Sequence, residues 1–219
     1  SENFFYMCFG TIPSKEIVKA FDVSLILYAE HSFNVSTFTA RTITSSLSDI
    51  HSAITGAIGS LKGPLHGGAN EEVMHMMNKI KKPENALKWI NNAINNKNVV
   101  MGFGHRVYKK GDSRVPTMEK YFKKVSIIKN DKKFHKIYDI VKNVMIERKD
   151  IHPNVDYPTG PTYHLMGFDT DFFTPIFVLS RITGWSAHIM EQHAANKLIR
   201  PLSKYSGEKH RQVMLLNQR

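Results

Sequence analysis

Apolar residues in this chain recur at the three-to-four-residue spacing of a helix and almost nowhere at the two-residue spacing of a strand, which restricts it to an all-α fold. Ile17, Ala20, Phe21, Leu25 and Tyr28 form one such face within residues 14–30, with Ser14 placed to cap the helix and Glu16 in its first turn. Val73, Met76, Met77 and Ile80 form a second face, for which Asn70 is the candidate cap and Glu71 and Glu72 the first turn. Pro83 suits the first position of a third helix, with Leu87, Ile90 and Ile94 inward. Residues 117–130 and 133–149 read as two more, the second striped by Phe134, Ile137, Val141 and Val144. A long helix is expected over 174–196, lined on one side by Ile176, Leu179, Thr183, Ala187 and Met190. Residues 35–60 are rich in Ser, Thr and Ala and read as close-packing helix, ended by Gly59 and Gly63-Pro64. Only residues 99–101 hint at a strand.

Three stretches break the helical pattern and carry chemistry. The run Val99-Val100-Met101-Gly102-Phe103-Gly104-His105-Arg106 continues to Lys109, Lys110, Asp112 and Arg114. Two glycines allow positive φ or close backbone approach, a histidine can donate near neutral pH, and the cations can hold carboxylates or phosphates. A site for a small polyanion fits this run; so does a hairpin-like loop with a solvated basic tip. A dinucleotide fingerprint fits poorly, because its third glycine position holds Val107. In the second stretch, residues 63–73, His66 sits in a glycine-flanked turn just before a helix N-terminus, where the helix dipole favours neutral imidazole. It is either a donor to an oxygen gaining charge or a structural turn residue. The third, residues 153–161, is a Pro/Gly-rich turn holding Asp156, a carboxylate that could equally serve its own backbone. Arg181 stands within an otherwise mostly neutral helix, so it either snorkels or pairs with a bound anion. His188 and His193 are five apart, off the i, i+4 face of a zinc pair, and read as structural.

Composition narrows the functional classes. No run of 18 or more apolar residues exists, so no membrane-spanning helix is expected, and the N-terminus shows no secretory pattern. The single Cys8 excludes an internal disulfide framework and suits a reducing compartment. The formal charge of +11 favours anionic partners, but the cations are spread along the chain and no zinc-finger, RRM or homeodomain signature accompanies them, so no nucleic-acid partner is expected.

Taken together and in order, the motifs resemble the citrate synthase family from end to end. The match runs through Ala29-Glu30-His31-Ser32-Phe33-Asn34, residues 63–70, Gly102-Phe103-Gly104-His105, Asp112-Ser113-Arg114, Pro153-Asn154-Val155-Asp156, residues 177–181 and Ile199-Arg200-Pro201. Residues 154–207 look most like the branch that includes bacterial 2-methylcitrate synthases. The resemblance implies a large domain formed by 1–66 and 158–219 and a small domain over 67–157, closing over the substrates. Family members carry a further N-terminal portion of the large domain with no counterpart here, so the chain reads as the later part of the usual protein.

By the same resemblance the activity is condensation of an acyl-CoA, acetyl-CoA or propionyl-CoA, with oxaloacetate, then thioester hydrolysis to citrate or 2-methylcitrate. Asp156 would be the base, His66 the donor to the enol(ate) oxygen, and His105 the donor to the ketone. His31, His105, Arg114 and Arg181 would hold oxaloacetate, with Arg200 reaching it in the neighbouring subunit of a homodimer. Gly102, Gly104, Lys109 and Phe177 would face the acyl-CoA; relatives often carry arginine where Lys109 stands. No metal or redox cofactor is implied, and the setting would be the cytoplasm, or an organelle matrix if a targeting segment has been removed. The alternatives are a citryl-CoA lyase-type module and a truncated, non-catalytic fragment.

Overall fold

The computed structural model describes residues 1–108 and 110–219, and its regular structure is helical. The helices are α1 (Glu2–Phe9), α2 (Lys15–Tyr28), α3 (Val35–Ser45), α4 (Ile50–Leu61), α5 (Ala69–Ile80), α6 (Pro83–Asn95), α7 (Val115–Ile128), α8 (Lys133–Lys149), α9 (Asp156–Met166) and α10 (Phe173–Ala194). Among the described residues there is no strand; the apolar run expected at 99–101 leads instead into one isolated bridge, Phe103 to Pro153.

Two apolar clusters hold the helices. The larger brings Phe5 and Phe21 together with Met74, Phe122, Tyr138, Tyr157 and Phe173. The smaller joins Tyr28, Ala57, Leu61, Met118, Val155, Phe177 and Trp185. Each cluster draws on residues distant in sequence, so the loops bearing the three motifs are anchored by helices on either side.

Several local expectations are corrected. Residues 35–60 form two helices, α3 and α4, packed side by side, because Leu47 takes a positive φ of 65° and Asp49 caps α4 by accepting from the Ser52 N–H at 3.0 Å. Gly68, not Asn70, is the N-cap of α5; Asn70 is buried in its first turn. Leu87 faces outward on α6 while Ile90 and Ile94 pack inward. Asp156 stands not in a free turn but in the first turn of α9, which accepts Pro158 near its start and contains Pro161.

The expected stripe on α10 also points the other way. Of its members only Ile176 is buried; Leu179 is 46% exposed and Met190 68%. The buried face is Phe177, Ser180, Arg181, Gly184 and Trp185. Between the aromatic Phe177 and Trp185 that face is small or polar at Ser180, Arg181 and Gly184, because there α10 packs on backbone, where α2 ends and the His31 loop begins. The Ser180 hydroxyl donates to the Leu25 carbonyl, Arg181 Nε donates to the Tyr28 carbonyl at 2.6 Å, and a Cβ built on Gly184 would lie 2.3 Å from the Ala29 carbonyl oxygen. Gly184→Ala is therefore expected to destabilise the chain by about 1–3 kcal/mol, the range for overpacking. A urea-unfolding midpoint equal to wild type would show that α10 does not press on this backbone.

Candidate active site

Four helix N-termini meet around one cavity of about 560 Å³. Asn34 and Val35 open α3, His66 and Ala69 lie at the start of α5, Arg114 precedes α7, and Asn154 to Asp156 lead into α9; all line the cavity. Unpaired N–H groups and aligned peptide dipoles at those ends favour anions.

The carboxylate of Asp156 points into this space with one oxygen occupied. The buried Tyr28 hydroxyl donates to Oδ1 at 2.5 Å. Burial pushes the carboxyl up to about 6, opposed by the Tyr28 hydrogen bond and the nearby Arg114. A carboxylate of that strength is charged at neutral pH and basic enough to take a proton.

His66 is held from behind. The Ser36 N–H donates to its Nε2 at 3.4 Å, the Ser36 hydroxyl lies 2.8 Å from the same nitrogen, and Trp185 Nε1 donates to that hydroxyl at 3.1 Å. Nε2 is thus the acceptor, which leaves the proton of neutral imidazole on Nδ1. Burial first, then the positive Arg181, pushes its pKa down to about 4. The helix dipole anticipated from sequence is not what dominates.

His31 and His105 face each other, Nε2 to Nε2, at 3.0 Å. Burial and then Arg114 push His31 down to about 4, so it too is neutral at pH 7. Gly102 and Gly104 adopt φ of 82° and 78° on the way to His105, and a Cβ on Gly102 would lie 2.7 Å from Val73.

The two arginines differ. Arg114 is paired: its Nε and Nη2 donate to the two oxygens of the buried Asp112 at 2.9 and 2.7 Å, and Asp112 Oδ2 also accepts the Val155 N–H at 3.0 Å. Arg181 is 1% exposed, lies over the Phe177 ring at 4.7 Å, and its Nη1 has no hydrogen-bond partner among the described residues. Burial and then Arg114 lower its pKa to about 10. A buried guanidinium with an unused donor beside a cavity is costly unless an anion completes it.

The family model described as citrate synthase, C-terminal domain, matches residues 1–202. This chain belongs to the citrate synthase family. It is 58% identical to 2-methylcitrate synthase 2 of Corynebacterium glutamicum over 100% of this chain and 58% of the relative. It is 55% identical to the citrate synthase of Mycolicibacterium smegmatis, over 98% of this chain and 57% of the relative. Among solved structures, a ternary complex of carboxymethyl coenzyme A and oxaloacetate with citrate synthase from Thermoplasma acidophilum superposes with a TM-score of 0.91 at 39% identity, covering 100% of this chain and 59% of that one. The chain thus spans a little over half the length of the citrate synthase relatives it matches.

Of the residues singled out from sequence, His31, His66, Gly104, His105, Arg114, Asp156, Phe177 and Arg181 line the one cavity. Gly102 is buried behind it. Arg200 lies in the exposed C-terminal segment and does not line it. Lys109 lies outside the described residues. Sequence reasoning missed Tyr28, Ser36 and Trp185 as partners of the site. Tyr28 fits the apolar stripe of α2, and nothing local marks its hydroxyl as the partner of a carboxylate 128 residues away. Because that hydrogen bond favours the charged carboxylate, Tyr28→Phe is expected to raise the Asp156 titration midpoint above about 6. Carbon-13 NMR of the Asp156 carboxyl reads it, and an unmoved or lowered midpoint would remove Tyr28 from this role.

Proposed function

We propose that this chain carries a site that condenses an acyl-CoA with oxaloacetate and then hydrolyses the thioester. The observation that carries the reading is a single cavity faced by a buried carboxylate, two neutral imidazoles and a guanidinium with an unused donor. Asp156 takes a proton from the thioester α-carbon through its remaining oxygen. The Nδ1–H of His66 stabilises the enol(ate) oxygen that forms. The nucleophilic carbon attacks the oxaloacetate ketone, whose oxygen receives a hydrogen bond, then a proton, from His105. Water then cleaves the new thioester and coenzyme A leaves as the thiol. Each acid–base contact is worth about 10²–10⁴-fold, and preorganised donors in a dry site add to that. No electron changes hands and N–H donors polarise the electrophile, so the chemistry asks for no metal or redox cofactor.

His31, Arg114 and Arg181 hold the oxaloacetate carboxylates in this reading. Phe177, tilted against Tyr28 with centroids 4.2 Å apart and edge-on to His66 at 6.1 Å, forms the wall beside the acyl group. Gly102, Gly104 and Lys109 face coenzyme A. Relatives of nearly equal identity bear the names 2-methylcitrate synthase and citrate synthase, so propionyl-CoA and acetyl-CoA are both proposed as donors. The reading makes 67–157 a small domain that closes on a large domain of 1–66 and 158–219. It also makes the working form a homodimer in which Arg200 reaches the partner's cleft; the exposed Leu179, Ile182 and Met190 on α10 supply an apolar face for association. The named relatives are bacterial, and a cytoplasmic setting goes with this reading. Among the described residues no helix is long and apolar enough to cross a membrane.

Release of free thiol on mixing the chain with oxaloacetate and each thioester tests the activity. Asp156→Asn is expected to cut turnover by at least about 10²-fold while calorimetric binding of oxaloacetate persists. Wild-type kcat/KM is expected to fall below about pH 6 as the base protonates, with His31 and His66 already neutral there. Near-normal turnover of Asp156→Asn would sink the assignment. Sedimentation equilibrium is expected to show a dimer or larger assembly; a stable monomer with full turnover would overturn the subunit arrangement.

A further inference from the structure

His105 is organised by its own loop. The backbone N–H groups of Val107 and Tyr108 both donate to His105 Nδ1, at 3.0 and 3.2 Å. A nitrogen that accepts two donors carries no proton, so neutral His105 is protonated at Nε2. That Nε2–H points at His31 Nε2 at 3.0 Å, which must then accept, leaving the His31 proton on Nδ1. The Tyr108 ring completes the arrangement: it stacks on His31 with centroids 5.4 Å apart and planes 9° from parallel, and it lies 4.8 Å from the His105 ring at 44°. Tyr108 lines the same cavity, and neither the motif reading nor the condensing mechanism gives it a task.

We propose that Tyr108 is a positioning residue for this imidazole pair, its ring holding the plane of His31 and its backbone the proton of His105, so that in the empty site His31 Nε2 occupies the place of the substrate's ketone oxygen. The proposal rests on the condensing reading for the identity of that oxygen. Binding is then an exchange of acceptors: His105 Nε2–H leaves one hydrogen bond for another and is never stripped bare in a poorly hydrated pocket, where an unpaired donor is expensive. His31, freed at Nε2, keeps its Nδ1–H as the proton it can offer a carboxylate. The stack matters because a lone pair accepts well only near the ring plane; without Tyr108, rotation of His31 carries that lone pair out of line.

The test compares wild type, Tyr108→Phe and Tyr108→Ala, with coincident thermal melts as the check that each folds. Nitrogen-15 NMR of the histidine rings in the ligand-free chain reads the tautomers, and calorimetry reads oxaloacetate affinity. Wild type and Tyr108→Phe are expected to show His105 protonated at Nε2 and His31 at Nδ1, with equal affinity. Tyr108→Ala, which keeps the backbone donors to His105 Nδ1, is expected to leave His105 protonated at Nε2 but to show mixed tautomers at His31 and an affinity about tenfold weaker, the scale of one aromatic pair. An unchanged His31 tautomer in Tyr108→Ala overturns the proposal whether or not affinity falls, since loss of a pocket wall alone gives weaker binding. A wild-type chain that does not bind oxaloacetate overturns the condensing reading instead, and the tautomer comparison still decides whether Tyr108 positions the pair.

Discussion

The buried carboxylate of Asp112 is the constraint on which the site's geometry depends. It accepts the Arg114 side chain in a two-pronged pair, the Arg114 backbone N–H at 3.0 Å, and the Val155 N–H. The start of α7 is thereby tied to the start of α9, and Asp156 follows Val155 directly. An ion pair of this kind gives little net stability, because desolvation offsets attraction, but removing one member strands the other at a cost of about 3–5 kcal/mol. Its value here is placement. It fixes how far Arg114 stands from Asp156 and so how strongly that cation draws down the carboxyl that burial has raised.

Charge balance follows from the same pair. Arg106, Arg114, Asp156 and Arg181 line the cavity, and the buried Asp112 behind it largely neutralises Arg114. Of the others, Asp156 and Arg181 are each pushed toward the neutral form, Asp156 upward to about 6 and Arg181 downward to about 10. Opposite shifts on two groups in one pocket mark a site whose charges are desolvated more than they are paired. An anionic group placed at Arg181 would meet that deficit. The imidazoles complement this. His31 and His66 are held neutral by burial and by the neighbouring guanidiniums, which keeps both as N–H donors and hydrogen-bond acceptors and adds no further positive charge.

What sequence alone made legible was set by how local each signal is. Helices with an apolar stripe on one side, such as α2, α5 and α8, announce themselves because period and burial agree. The 35–60 stretch fails that test: Ser, Thr and Ala pack closely with no strong stripe, so the break at Ser46 and Leu47 left no trace in the pattern. On α10 the buried face lies elsewhere, because the helix packs against backbone through Ser180, Arg181 and Gly184, set between the aromatic Phe177 and Trp185, and Leu179 and Met190 fall to the outside. The site was legible as motifs because glycines, histidines and a turn aspartate cluster in short windows. Its supporting hydrogen bonds were not, because Ser36 meets His66 from 30 residues away and Trp185 meets Ser36 from 149. Ordinary residue types acquire such roles only once the chain has folded.

The inverted α10 links the site to whatever covers the chain. One side of this helix carries Phe177 and Arg181 to the cavity and holds the end of α2 through Ser180 and Gly184. Farther along, His188 Nε2 meets Glu30 at 3.0 Å, next to His31. The other side is apolar and open. A helix with apolar residues on both sides belongs between two layers, and here only one layer is supplied by the described residues. Packed interiors transmit displacement because they are dense and resist compression. A surface that settles on Leu179, Ile182 and Met190 therefore bears on the same rigid rod that sets Arg181 beneath Phe177 and the His31 loop against Gly184. The unused donor of Arg181 and the open apolar face are thus two sides of one element.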